Sequence, residues 1–281
     1  MPSLPDMMTP DAGALARQAG QGGGHAPAPD TDQDAFFEFL LRMGDNALIL
    51  GHRNSEWCGH GPVLEEDIAM SNMALDLIGQ TALWLELAGT VEGKGRSADD
   101  LAYLRDAWDF RNLLLVERPN GDFGATLMRQ FLFDAFHFHL LRALTGSTDA
   151  RVAEIAVKAL KEVSYHLERS AEQVIALGDG TDESHARMQA ALDDQWPYAL
   201  EMFTSDATDA AMAKAGIAPD PASLRGLWDE TVDAVLDQAS LKAPETGFVQ
   251  KGGRQGTHTE HLGYILAEMQ FLQRAYPGAS W

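Results

Sequence analysis

Residues 152–174 read VAEIAVKALKEVSYHLERSAEQV, and the apolar positions Val152, Ile155, Ala156, Ala159, Leu160, Val163 and Leu167 recur at threes and fours. At 100° per residue this spacing gathers them into one stripe along a helix, and such a stripe must be buried against other helices. The same spacing returns in Leu262, Ile265, Leu266, Met269, Leu272 and Tyr276, stopped by Pro277-Gly278. Alternating β-branched runs do not follow one another anywhere in the chain. The fold is therefore expected to be all-α, a helical bundle with additional short helices.

Periodicity and breaks together predict helices over 34–54, 63–89, 99–117, 123–145, 150–177, 184–204, 207–215, 221–240 and 258–276. Between them lie Gly59-His60-Gly61-Pro62, Glu92-Gly93-Lys94-Gly95, Pro119-Asn120-Gly121-Asp122 and Gly178-Asp179-Gly180-Thr181, all rich in turn formers. Residues 1–32 hold Gly22-Gly23-Gly24 and Ala26-Pro27-Ala28-Pro29 but few large apolar groups, so a flexible tail is expected there, ahead of a single helical domain over 33–281.

Asp and Glu number 42 against 21 Lys and Arg, a formal charge of -21, which repels phosphate backbones and argues against a nucleic-acid partner. No apolar run approaches the ~20 residues that cross a bilayer. The one cysteine, Cys58, has no internal disulfide partner, and MPSLPDMMTPDAG lacks the pattern of a signal peptide. A cytoplasmic protein is expected.

Chemistry is concentrated on a few helices. The segment Leu127–Leu144 is apolar nearly all round yet carries Asp134, His137 and His139, and Asp134 projects in the direction of Leu127, Phe131, Phe138 and Leu141. Its carboxylate needs a partner inside the protein. His166 falls within the stripe of the following helix, with Glu162 one turn earlier, and Asn72 and Asp76 repeat the pattern on helix 63–89. A di-iron carboxylate site takes one Glu from each of two helices and a Glu-x-x-His pair from each of two others. None of the nine histidines has Glu three residues before it; Asp134 precedes His137 and Asp182 precedes His185 in that register. Asn72 lacks the carboxylate charge such a site requires. The expectation is a polar core with no metal and no catalytic residue in this chain. Cys58 beside His60 reads as a packed thiol near a turn histidine. Lys251-Gly252-Gly253-Arg254-Gln255-Gly256 reads as a connector, with anion or CoA contact as the alternative. Around the very apolar run from Leu113, the charged residues Arg105, Asp106, Arg111 and Glu117 mark the ends, and the arginines suit a partner surface.

Three blocks carry a resemblance: GDNALILGHRNSEWCGHGPVLEEDIAMSNMALDLIGQ from Gly44, NLLLVERPNGDF from Asn112 and HTEHLGYILAEMQFLQRAYPG from His258. In this order they resemble the C-subunit family of phenylacetyl-CoA 1,2-epoxidase complexes, and the likeness runs from about Asp34 to Trp281. The resemblance implies a ferritin-like bundle that pairs with a homologous catalytic A subunit holding the di-iron centre. It further implies a small B subunit, electrons from NADPH through a separate reductase, and phenylacetyl-CoA at a site this chain helps to form. By the same resemblance, Asp109, Phe110, Arg111 and Asn112, and the helix around Ala210, Ala211 and Met212, come close to that substrate. Arg111 suits a CoA phosphate, or pairs with Asp109 or another acid. Two functions stay open on sequence: a non-catalytic structural subunit, and a di-iron oxygenase in its own right using Asp134, His137, Glu162 and His166.

Overall fold

The computed structural model describes residues 31–279. Eleven α-helices occur among the described residues, with no strand. In chain order they are α1 (Gln33–Ser55), α2 (Leu64–Glu92), α3 (Ala98–Tyr103), α4 (Leu114–Glu117), α5 (Phe123–Leu144) and α6 (Ala150–Gly178). These are followed by α7 (Asp182–Ala199), α8 (Ala207–Ala215), α9 (Arg225–Gln238), α10 (Glu260–Met269) and α11 (Phe271–Ala275). Two compact units result, one of Gln33–Asn120 with Gln250–Trp281, the other built on Gly121–Val249. The expected N-terminal tail falls, save for Thr31 and Asp32, outside the described residues.

In the first unit α1 and α2 form a helical hairpin. Gly44 lies against Leu85 and Gly51 against Leu77 and Ile78, so position rises on one helix as it falls on the other and the pair is antiparallel. Close approach depends on these glycines, since a Cβ on Gly44 would stand 2.5 Å from the Leu85 side chain. Thr81 Oγ1 donates to the Gly44 carbonyl at 3.3 Å across the same contact. The acidic residues Glu65, Glu66 and Asp67 occupy the first turn of α2, where the helix dipole favours them. The helix overruns its expected end by three residues and stops at Gly93, whose φ of 69° is left-handed and whose N–H donates to the Gly89 carbonyl.

The predicted helix 99–117 is not continuous. A capping box of Ser97 and Asp100 starts α3, but the chain then passes through a 3-10 turn at Ala107–Asp109 and extended residues before the single turn of α4. The physical reason is competition for backbone donors: Arg111 N–H donates to Asp45 Oδ2 at 2.8 Å and Leu113 N–H to Asn46 Oδ1 at 2.8 Å, both side chains of α1. The Leu113–Val116 run is buried all the same, which is why it mimics a helix in sequence. The expected helix 258–276 is likewise divided at Gln270, whose amide donates to the carbonyls of Ala102 and Arg105 at 3.0 Å each.

The second unit is organised by α5, buried along nearly its whole length, with α6, α7 and α9 packed on it. Asp122 caps α5 by accepting from Ala125 N–H, and Asp149 caps α6 by accepting from Arg151 and Val152 N–H. Trp228 of α9, fully buried, donates its indole N–H to the Leu132 carbonyl at 3.0 Å. Trp196 and Phe203 close around it with ring centroids 5.3 and 5.2 Å away. The stretch expected as helix 184–204 turns to 3-10 form at Leu200, and 221–240 opens with a 3-10 turn at Pro221–Leu224.

Candidate functional site

In the unit around α5, helical projection places Asp134 inward, and its carboxylate is fully enclosed. Gln130 Nε2, one turn earlier, donates to Oδ1 at 2.6 Å, and Ser170 Oγ of α6 donates to Oδ2 at 2.9 Å. Burial raises the Asp134 carboxyl to about 7, against the opposing pull of His166, Ser170 and Gln130. His137 packs obliquely on Phe133 and is pushed down to about 3 by burial and by His166. His139 is pushed down to about 4, by burial first and then by Arg142. Arg142 donates to His139 Nδ1 at 3.0 Å, so the ring is neutral and donates from Nε2 to Thr231 Oγ1 at 2.8 Å.

The expected quartet is therefore only partly assembled. Asp134, His137 and His166 are buried, whereas Glu162 is half-exposed. Gln130 and Ser170, which satisfy Asp134, were missed by sequence reasoning, although each stands one turn from a residue it singled out. On α2 the expectation needs correction, because Asn72 is exposed and Asp76 half-exposed: the helix turns that face to solvent together with Leu64, Ile68 and Leu75. Among the described residues no three His, Cys, Asp or Glu side chains converge as a metal site. Both oxygens of Asp134 already accept hydrogen bonds, so the residues present do not fit a di-iron carboxylate centre. Cys58 is exposed rather than packed, and His60 Nδ1 meets its carbonyl at 3.1 Å.

The other unit holds the Asp109–Asn112 segment on a polar stripe of α1 formed by Glu38, Arg42, Asp45 and Asn46, spaced for one helix face. Arg105 grips both oxygens of Asp45, with Nη1 at 3.0 Å from Oδ2 and Nη2 against Oδ1. The same guanidinium donates to the Asp109 carbonyl at 2.9 Å and lies 4.3 Å from the centre of the Phe110 ring. Arg111 pairs with Glu38 at 2.9 Å, not with Asp109, and donates from Nη1 to the carbonyls of Trp108 and Phe110 at 2.7 and 2.8 Å. The arginines expected at a partner surface thus bind inward. Asn112 is buried and donates to Glu117 Oε2 at 3.0 Å. Glu117, also buried, accepts from His258 Nδ1 at 2.9 Å and from Thr259 N–H at 2.6 Å.

Of the positions implied by resemblance, Asp109 is exposed and Arg111 part-exposed, while Phe110 and Asn112 are enclosed. On α8, a helix of the other unit, Ala210 is exposed, Ala211 part-exposed and Met212 fully buried. Sequence reasoning did not single out Glu38, Asp45, Asn46 or His258; it read Glu117 only as a charged end of an apolar stretch and Arg105 as an end that suits a partner surface. The spacing 38, 42, 45, 46 was the one available signal.

The chain matches the phenylacetic acid catabolic protein family over residues 22–281. It belongs to that family. A phenylacetic acid catabolic protein has a ferritin-like helical fold, in keeping with the all-helical architecture of this chain. Its relative from Escherichia coli (strain K12), the C subunit of 1,2-phenylacetyl-CoA epoxidase, is 46% identical over 243 residues, which cover 86% of this chain and 98% of the relative. Among the described residues of this family member, no helix is long and apolar enough to cross a membrane.

Proposed function

We propose that this chain is the non-catalytic, structural subunit of a multicomponent phenylacetyl-CoA 1,2-epoxidase in aerobic phenylacetate breakdown. The observation that carries the reading is 46% identity spanning 98% of a protein named as the C subunit of that enzyme. The failure of the Asp134 region to fit a di-iron centre supports the non-catalytic half of it. In this reading the chain pairs, in the cytoplasm, with a homologous A subunit that carries the iron, a small B subunit joins them, and NADPH supplies electrons through a separate reductase.

The chain's own contribution is to fix the partner's helices and to finish the substrate site. In one unit Asp109 and Arg111 have surface to offer the CoA thioester, next in sequence to the enclosed Phe110 and Asn112; taken by itself, α8 of the other unit offers Ala210 and Ala211, with Met212 buried. Obligate interfaces of this kind bury more than about 2,000 Å². Reconstitution tests the reading: the A subunit with B and reductase should epoxidise phenylacetyl-CoA only when this chain is added, and should co-elute with it. Full turnover without this chain, or no co-elution, would remove the proposal.

A further inference from the structure

Lys251-Gly252-Gly253-Arg254-Gln255-Gly256 is neither an open anion loop nor a loose connector. Its 3-10 turn, Gly253–Gln255, lies flat on the 108–114 backbone. A Cβ on Gly253 would stand 2.2 Å from the Asn112 carbonyl oxygen, and one on Gly256 2.3 Å from that of Trp108. Only hydrogen at these α-carbons permits the contact. Arg254 is buried, so the basic side chain within the turn is not presented to solvent.

His258 closes the strap. Its side chain is 4% exposed, with Nδ1 2.9 Å from Glu117 Oε2 and Nε2 3.0 Å from the Phe110 carbonyl oxygen. The two ring nitrogens thus reach two different stretches of the chain, the end of α4 and the extended backbone before it. The Phe110 carbonyl that His258 meets also receives a charge-assisted bond from Arg111 Nη1 at 2.8 Å. Next along the chain, Thr259 N–H donates to the other oxygen of Glu117 at 2.6 Å, and α10 begins. Glu117 and His258 are 141 residues apart, so this bond ties the C-terminal strap to the segment that carries Asp109 and Arg111.

We propose that His258 is a positioning residue for the substrate site: bridging Glu117 and the Phe110 carbonyl, it holds the 252–259 strap over residues 108–117 and fixes the Asp109–Asn112 edge. This rests on the reading that the edge meets the CoA thioester. His258 touches no substrate itself, so its loss should affect binding more than turnover.

The test uses the reconstituted epoxidase complex and phenylacetyl-CoA, with His258→Ala, His258→Gln and Arg111→Ala in this chain. His258→Ala should raise KM about ten-fold with kcat within about two-fold, the scale of one charge-assisted hydrogen bond. His258→Gln, which keeps one donor, should recover part of the loss and guards against a misfolded alanine variant. Amide exchange in residues 108–114 should quicken in both. Unchanged exchange at 108–114, or an equal fall in kcat with KM unaltered, would overturn the proposal. If Arg111→Ala raises KM and His258→Ala does not, the positioning role fails while the substrate edge stands. If neither variant moves KM, the substrate edge has failed and the positioning role with it.

Discussion

Replacing Asp45 by alanine should lower stability by about 3–5 kcal/mol, the usual consequence of removing one partner from a buried ion pair. Asp45 is fully enclosed and Arg105 is 4% exposed, so the guanidinium left behind has no route to water. Three bonds go at once: both from Arg105, and the 2.8 Å bond from Arg111 N–H. For a chain of this size the melting temperature should fall on the order of 10 °C. Removing both partners, as Asp45→Leu with Arg105→Met, should cost less than the two single changes added together, because no charge is then stranded. Chemical melts of the four proteins check this, and strict additivity would show that the pair is hydrated.

Asp134→Asn should give the largest pH-dependent effect. The unfolded carboxyl titrates near 3.8 and the folded one at about 7, so between those values the folded state holds more protons. Stability from this group is complete below about pH 4 and is lost as pH rises through 7, by at most about 4 kcal/mol. Asparagine accepts from Gln130 and donates to Ser170 without ever ionising. It should therefore be more stable than the parent at pH 8 and lose that advantage by pH 4. His137 and His139, pushed down to about 3 and about 4, act in the opposite sense, destabilising the fold as pH drops below 6.5. Both contributions cancel in the difference between variant and parent, which isolates Asp134. Asp134→Ala should instead be less stable at every pH, since it leaves a void and strips Gln130 and Ser170 of their acceptor. Parallel urea-stability curves for parent and Asp134→Asn from pH 4 to 8 would contradict the assignment.

Much of the second unit was legible in sequence because its logic is local. The stripe on α6 and the inward direction of Asp134 follow from 3.6-residue periodicity, and α8 was placed at its observed limits, 207–215. Legibility ended where distant residues act on the backbone. Leu113–Val116 has the hydrophobicity of a helix, but Asp45 and Asn46, 66 and 67 residues from their donors, take the N–H groups a helix would have used. The strap at 252–259 was equally hidden: its glycines looked like freedom, whereas they permit contact with Trp108 and Asn112. Arg105 and Arg111 looked like surface anchors because their carboxylate partners lie on another helix.

Whether this chain is non-catalytic is decided by the iron content of the purified, iron-supplemented chain, alone and in complex with the A subunit proposed as its partner. The isolated chain should hold no stoichiometric iron and show no oxygenase activity, and the iron of the complex should belong to the A subunit. Close to two irons per isolated chain, with the spectrum of a bridged pair, would contradict this and make this chain an oxygenase in its own right.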